Sequence, residues 1–512
     1  LFEALENVRK HYPIDEDRLV IRGFSMGGAA CWHFAVHYPT KWAAAAPGAG
    51  FSETADFLRV FQDEVVHPTV YERALYHWDD STDYAVNLFN CPTVAYSGAI
   101  DKQKQAADRM EAALAEHGLK LTHIIGPGTA HAYHPEAKAE INRRIDSIAA
   151  RGRERVPRHI RFATYTLRYH EAGWVRLDGL GKHWERAEVE AEITGPRAVT
   201  VRTHNVTALT LTMPAGYCPL ENGTEPRSSP ELTVDDTHLA SEGQVPPVGT
   251  DRSWEVHLVK GEKGWTVAPG EDTALRKRHG LQGPIDDAFT DSFLMVRPTG
   301  RPLGEKVGKW TTREMAHAID HWRKQFRGEA PVKDDSAVTE ADIAAHNLVL
   351  WGDPQSNQVL ARIADKLPVR WNGWGLFVGG RSFGIDRTVP VLIYPNPLNP
   401  KRYVVLNSGF TYREYDYLNN ARQVPKLPDY AVIDVEVAAS SQAPGGILTA
   451  GFFDEHWQLG PVGVEEREGK KQGLTRGADS SAKLPSQGVV RGLRIEDGES
   501  PRKAKVLREP RP

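Results

Sequence analysis

Leu19-Val20-Ile21-Arg22-Gly23-Phe24-Ser25-Met26-Gly27-Gly28 decides the reading of the first third of this chain. Leu19 to Ile21 is a short apolar run of strand type, and the residues after Gly28 read as a helix through about His37, stopped before Pro39. Between them Gly23-Phe24-Ser25-Met26-Gly27 fits G-x-S-x-G, a sharp strand-to-helix turn. Glycines on either side make a strained serine backbone sterically possible. The hydroxyl of Ser25 then projects from the top of the sheet. The backbone N–H of Met26, at a helix N-terminus, points at the same spot and can stabilise an oxyanion. The alternative is a turn with no chemistry. The strand before the motif and the helix after it favour the nucleophile.

A serine hydroxyl is not nucleophilic at neutral pH without a base. In α/β folds with this turn the partners follow in the order Ser, Asp or Glu, His, each just after a strand. Pro92 to Gly98 reads as a buried strand, which makes Asp101 the candidate acid. Asp101 also suits the N-cap of a helix from about Gln103 to His117, and both roles can hold. Asp79, Asp80 and Asp83 precede the strand instead of following it. Leu121 to Ile125 reads as the next strand, and Gly126-Pro127-Gly128-Thr129-Ala130-His131 follows it. His131 is the candidate base, its Nδ1–H held by Asp101 and its Nε2 receiving the proton of Ser25. His134, at the start of a helix from Pro135 to Ala150, is its competitor. Strands alternating with helices predict a parallel α/β sheet.

The same region resembles the catalytic domain of the prolyl oligopeptidase family, serine peptidase family S9, and of its esterase relatives. Besides the stretches above, Ile14-Asp15-Glu16-Asp17-Arg18, His37-Tyr38-Pro39, Ala43 to Gly50, Tyr96-Ser97-Gly98 ahead of Asp101, and Met110-Glu111-Ala112-Ala113-Leu114 carry the resemblance, over residues 1–150. It implies an α/β-hydrolase fold, a covalent acyl-serine, hydrolysis by water and no cofactor. It also implies that strands ahead of Leu1 supply the second oxyanion donor. The chain opens on Leu1 inside what reads as a helix, so an N-terminally truncated hydrolase is expected. Any signal peptide would lie upstream, and a secreted or periplasmic location is the expectation.

The remainder is read from pattern. A chain of 512 residues predicts about three domains. Arg151 to Arg158, basic and holding Pro157, reads as a linker. Residues 157–275 carry period-two runs rich in Thr, Val and Tyr, the pattern of a small β sandwich, with Pro219 to Pro247 as a long loop. Residues 283–460 read as a second α/β domain, with a helix from Thr311 to Phe326 capped by Thr311 or Thr312 and another from Ser356 to Lys366. Residues 461–512 are polar and charged and read as a disordered tail.

Composition excludes several function classes. The net charge of -4 implies no nucleic-acid partner. No apolar run approaches the ~20 residues that span a bilayer. Cys31, Cys91 and Cys218 have neither disulfide nor metal spacing, and no metal or nucleotide motif is found. Weaker features keep two readings each. Gly352-Asp353-Pro354-Gln355-Ser356-Asn357 suits a helix cap or an anion site. Asp286 and Asp287 suit a solvated turn or a metal or sugar contact. Tyr71, Tyr76, Trp78 and Tyr84 suit a substrate pocket or core packing. Three functions stay open: a prolyl oligopeptidase-like peptidase, a carboxylesterase, and an inactive hydrolase fragment carrying binding modules. The substrate is a peptide or an ester, and the oligomeric state is undetermined.

Overall fold

Ala44, Ala46, Val94 and Tyr96 face one side of a parallel sheet while Ala45 and Ala95 face the other, the two-residue alternation of strands covered on both faces. The computed structural model describes residues 1–222, 229–239, 245–268, 274–413 and 424–460. The strands of this first sheet are β1 (Val20–Phe24), β2 (Ala44–Gly48), β3 (Val94–Gly98) and β4 (Thr122–Gly126), parallel and adjacent in that order. The helices are α1 (Phe2–His11), α2 (Met26–His37), α3 (Thr54–Gln62), α4 (Val70–Tyr76), α5 (Lys104–Glu116) and α6 (Pro135–Arg151). Cys31, Trp32, Ala35 and Val36 of α2 pack with Ala107, Met110 and Leu114 of α5 on one face. Ala137, Ile141 and Ile145 of α6, spaced four apart along one stripe, cover the other. Ser25, Asp101 and His131 follow β1, β3 and β4, so all three sit at the carboxyl edge of the sheet, where α/β folds place their chemistry.

The next segment holds β5 (His159–Thr164), β6 (Glu171–Ala172), β7 (Val175–Leu180), β8 (Ala187–Ile193), β9 (Ala198–His204), β10 (Val206–Met213), β11 (Glu231–Val234), β12 (Thr237–His238), β13 (Trp254–Gly261) and β14 (Gly264–Val267). They form two five-stranded sheets, β12-β11-β9-β8-β5 and β14-β13-β10-β7-β6. Phe162, Val189 and Val201 from the first share a core with Leu177, Leu209 and Leu258 from the second. The long loop expected over Pro219 to Pro247 is corrected in part. β11 and β12 lie within it, because Leu232 and Val234 are buried while the surrounding proline and glutamate mask so short an alternation.

The third segment holds β15 (Phe293–Arg297), α7 (Glu305–Phe326), β16 (Val332–Asp334), α8 (Glu340–Ala345), β17 (Asn347–Leu350), α9 (Gln358–Ala361), β18 (Arg370–Asn372), β19 (Gly375–Val378), β20 (Arg381–Phe383), β21 (Thr388–Asn396), β22 (Asn399–Leu406), β23 (Tyr430–Asp434) and β24 (Gly446–Gly451). Seven strands form one sheet in the order β16-β15-β17-β22-β21-β23-β24. β16, β15, β17 and β22 run parallel, and β21, β23 and β24 join antiparallel. Two helix readings are corrected. α7 begins at Glu305, six residues before the expected cap, because Val307 and Trp310 extend its buried stripe upstream; Thr311 is interior and buried, and Glu314 pairs with Arg413. The helix expected from Ser356 to Lys366 is only α9 and a separate tight turn at Ala364–Lys366. Asn357 caps it, its side chain accepting from the N–H groups of Val359 and Leu360. The expected tail, 461–512, lies outside the described residues.

Buried polar and aromatic contacts join the segments. The Asn87 side chain, fully buried, donates to the carbonyls of Val36 and Ala163 and accepts from Ala163 N–H. Tyr169 is part of the core around α2, its ring 3.8 Å from that of His37. Arg168 Nη1 donates to Asp287 Oδ1 at 3.0 Å.

Candidate active site

Ser25 has φ 58° and ψ -120°, outside the conformations an L-residue ordinarily adopts. Such strain costs about 1–3 kcal/mol and persists only where the surroundings fix it. Here its N–H donates to Gly48 O at 2.9 Å, and its carbonyl accepts from Ala29 N–H at 3.0 Å. The turn closes so tightly that a Cβ on Gly23 would lie 1.8 Å from Gly27 O, and one on Gly28 would lie 2.2 Å from Gly48 O. Glycine is therefore required at both positions by close approach. The Ser25 side chain makes no capping bond to α2, which leaves it aimed at the imidazole. Met26 is the first residue of α2, a position whose backbone N–H has no partner within the helix.

His131 Nε2 lies 2.9 Å from Ser25 Oγ, and His131 Nδ1 lies 2.9 Å from Asp101 Oδ2. The Asp101 side chain is 4% exposed and that of His131 42%, so the acid is inside and the base opens to solvent. The other oxygen of Asp101 accepts from Gln103 N–H at 2.9 Å at the start of α5. One carboxylate thus closes a turn and holds an imidazole, but the N-cap of α5 is Gln103 and not Asp101 as expected. The loop that brings His131 across is held against the acid strand: Ile100 N–H donates to Thr129 O at 3.1 Å, and a Cβ on Gly98 would lie 2.2 Å from Ala130 O.

One functional side chain escaped the sequence reading. The hydroxyl of Tyr96, on β3, donates to Ala132 O at 2.7 Å and accepts from His134 N–H at 2.8 Å. The two bonds bracket Tyr133, whose ring packs on Tyr96 and on Phe24, and the Phe24 ring also touches that of His131. In sequence Tyr96 is one residue of a buried strand and of the stretch Tyr96-Ser97-Gly98 that carries the resemblance, and nothing local announces the partners of its hydroxyl.

The competing candidates lie elsewhere. His134 N–H donates to the Tyr96 hydroxyl, and the imidazole at hydrogen-bond distance from Ser25 Oγ is that of His131. Asp80 accepts from Thr54 N–H and Oγ at 2.9 and 2.7 Å, and Asp83 Oδ2 lies 2.6 Å from His77 Nδ1. Asp79 faces His33, and burial together with the charge of Asp286 pushes its carboxyl up to about 7. Tyr71 and Tyr84 pack in cores, the Tyr84 hydroxyl donating to His77 O at 2.7 Å. The reading of Asp286 and Asp287 as a solvated turn or a ligand contact is corrected. Both are buried, because Ile285–Phe289 turns into the core. Asp286 accepts from Thr411 N–H and Oγ, and Asp287 binds Arg168 and the Tyr403 hydroxyl. Asp108, Glu111 and His123 approach closely enough to share a cation, but Lys104 pairs with Asp108 and His123 Nε2 lies 3.0 Å from Ser97 Oγ.

Residues 1–150 match the family model of the prolyl oligopeptidase family. That segment is a serine hydrolase domain of the α/β-hydrolase superfamily. No curated protein sequence matches the chain. Among solved structures, the hydrolase domain aligns with the S-formylglutathione hydrolase of Staphylococcus aureus at 20% identity, covering 29% of this chain and 61% of that one, with a TM-score of 0.22. A putative dipeptidyl aminopeptidase IV from Bacteroides ovatus aligns at 13% identity over 30% of this chain and 22% of that one, with a TM-score of 0.25. An S-formylglutathione hydrolase from Agrobacterium tumefaciens aligns at 18% identity over 29% and 55%, with a TM-score of 0.24. The chain thus spans less than two thirds of each of these structures.

Proposed function

We propose that the chain is a serine hydrolase of the prolyl oligopeptidase type, cleaving peptides through an acyl-serine with Ser25, His131 and Asp101 as its working groups. The observation that carries this is the unbroken line from Asp101 Oδ2 through His131 to Ser25 Oγ, with both links at 2.9 Å. His131 Nε2 takes the hydroxyl proton as Ser25 Oγ bonds to the carbonyl carbon of the substrate. The imidazolium that forms is stabilised by the buried carboxylate, which also fixes the tautomer. The oxygen of the tetrahedral intermediate carries the negative charge beside Met26 N–H; one such donor is worth about 3–4 kcal/mol to the transition state. His131 then gives its proton to the leaving amine, the C–N bond breaks, and water repeats the sequence to release the acid and restore Ser25.

The peptidase label is supported by the family match, and an ester would use the same groups. Turnover of p-nitrophenyl acetate and of a proline p-nitroanilide separates them. Amide cleavage that disappears in Ser25→Ala supports the peptidase reading. Rapid acetate turnover with no amide cleavage replaces it with a carboxylesterase. Failure of a fluorophosphonate to label Ser25 removes both in favour of an inert domain.

A further inference from the structure

Outside the hydrolase domain, a cavity of about 530 Å³ opens on the outer face of the sheet β14-β13-β10-β7-β6. Leu177, Leu209 and Leu258 face the sandwich core, so Arg176, Thr210 and His257 beside them face out. The register sets Thr210 opposite both Arg176 and His257. The segment leaving the sandwich supplies the wall: Arg276, Arg278 and His279, the last stacked on His170 with ring centres 3.8 Å apart. Arg276 reaches β7, its Nη1 only 2.7 Å from where a Cβ on Gly179 would stand. Arg176 and Arg278 therefore bring two guanidiniums to one hollow beside Arg276, which holds a partner of its own, and among the described lining residues the one carboxylate is Asp178.

That carboxylate is already engaged, accepting from Arg176 Nε at 2.8 Å and from the Thr210 hydroxyl. Two other acids stand nearby. Glu255 faces His257 Nε2 at 3.1 Å, and Glu171 pairs with Lys41 at 3.0 Å. Arg278 Nη2 donates to Ala274 O at 3.0 Å, while its buried Nε has no hydrogen-bond partner. A buried donor left unpaired costs about 1–3 kcal/mol, which an incoming acceptor recovers. Burial and the neighbouring His279 push the His170 imidazole down to about 4, so at neutral pH it offers hydrogen bonds rather than charge.

We propose that this hollow binds a small organic anion, a carboxylate or a phosphate carried on a sugar-sized body. Guanidinium forks suit planar or multi-oxygen anions, where two parallel bonds form at once. The volume lies within the range of about 300–1,000 Å³ typical of small-molecule sites and exceeds what a bare oxyanion fills. Ala208, Val259 and Ala268 give it an apolar patch for the body of a ring, and the imidazoles give partners for hydroxyls. The site is independent of the hydrolase reading, since none of these residues belongs to residues 1–150.

Isothermal titration of the whole chain with digalacturonate, glucose 6-phosphate, sodium sulfate and maltose tests it. One site per chain for digalacturonate or for glucose 6-phosphate is expected, and which of the two binds assigns the carboxylate or the phosphate. Arg278→Gln is expected to weaken that binding by about tenfold or more, the loss of a charge-assisted bond. Asp178→Asn removes the competing carboxylate and is expected to tighten it severalfold, a gain that misfolding does not mimic. Maltose binding as tightly as the anions, sulfate alone binding, no heat from any probe, or affinities that ignore both substitutions would each overturn the proposal.

Discussion

The Tyr96 hydroxyl stands 2.7 Å from the carbonyl oxygen of Ala132, the residue next to the candidate base. With its second bond, to His134 N–H, it fixes the backbone on both sides of Tyr133 from within the sheet. Tyr96→Phe keeps the ring and deletes both bonds. The expected result is a fall in kcat of about tenfold with KM nearly unchanged, because an imidazole displaced by a fraction of an ångström still admits substrate. Thermal unfolding should show a loss of about 1–3 kcal/mol from the two unpaired backbone groups. A stability loss with full kcat would make Tyr96 a packing residue only.

Gly98 and Gly118 offer a matched contrast. A methyl on Gly98 would lie 2.2 Å from Ala130 O and 2.3 Å from Thr129 O, in the loop that carries His131. Gly118 has φ 70° and open space around it. Gly98→Ala is therefore expected to depress turnover strongly. Gly118→Ala should leave turnover intact and cost about 1 kcal/mol of stability through backbone strain alone. Equal kinetic effects from the two would contradict the packing of that loop against β3.

Fluorophosphonate labelling and steady-state kinetics test the proposed line of three groups. Ser25→Ala should abolish labelling. Asp101→Asn preserves the bond from Gln103 N–H but presents the wrong partner to His131 Nδ1, and turnover should fall by ~10⁴. Undiminished turnover in that variant would move the acid elsewhere.

Asp286 predicts a pH signature in folding. Burial pushes its carboxyl up to about 6, against the opposing bonds from Thr411. A carboxyl raised in the folded state contributes fully below its unfolded value, near 4, and loses that contribution as pH rises through 6. Asp286→Asn removes the titration while keeping an acceptor for Thr411 N–H. Relative to the variant, the wild-type chain should lose about 3 kcal/mol of stability between pH 4 and pH 8. Denaturant midpoints measured at both ends of that range check it, and a difference that stays flat with pH would refute it.

The hydrolase third of the molecule was readable because each of its candidate residues follows an apolar run. Leu19 to Ile21, Pro92 to Gly98 and Leu121 to Ile125 belong to parallel strands of one sheet, with β2 between the first two, and parallel strands set their carboxyl ends along one edge. Two kinds of residue stayed hidden. Tyr96 and Thr311 sit in segments whose type was read correctly, but their roles depend on direction and on how far the element extends. Arg168 and Asp287 stand 119 positions apart, and no local pattern announces such a pair. The aspartate pair therefore read as turn chemistry, although burial and long-range partners decide what those carboxyls do.

Tyr169 has a further consequence. It and Tyr165 come from beyond Arg151, yet Tyr169 packs on His33 and His37 of α2, the helix that Ser25 precedes, and Tyr165 packs on Tyr84 of the same core. The His77 ring stacks on Tyr165 at 3.9 Å, and the Tyr169 hydroxyl donates to Trp78 O at 2.8 Å. A fragment trimmed at the end of α6 would lose this aromatic plug and expose greasy surface behind the helix that carries its candidate serine. Whoever wishes to isolate the enzyme part should carry the cut past the first sandwich strand and its following turn.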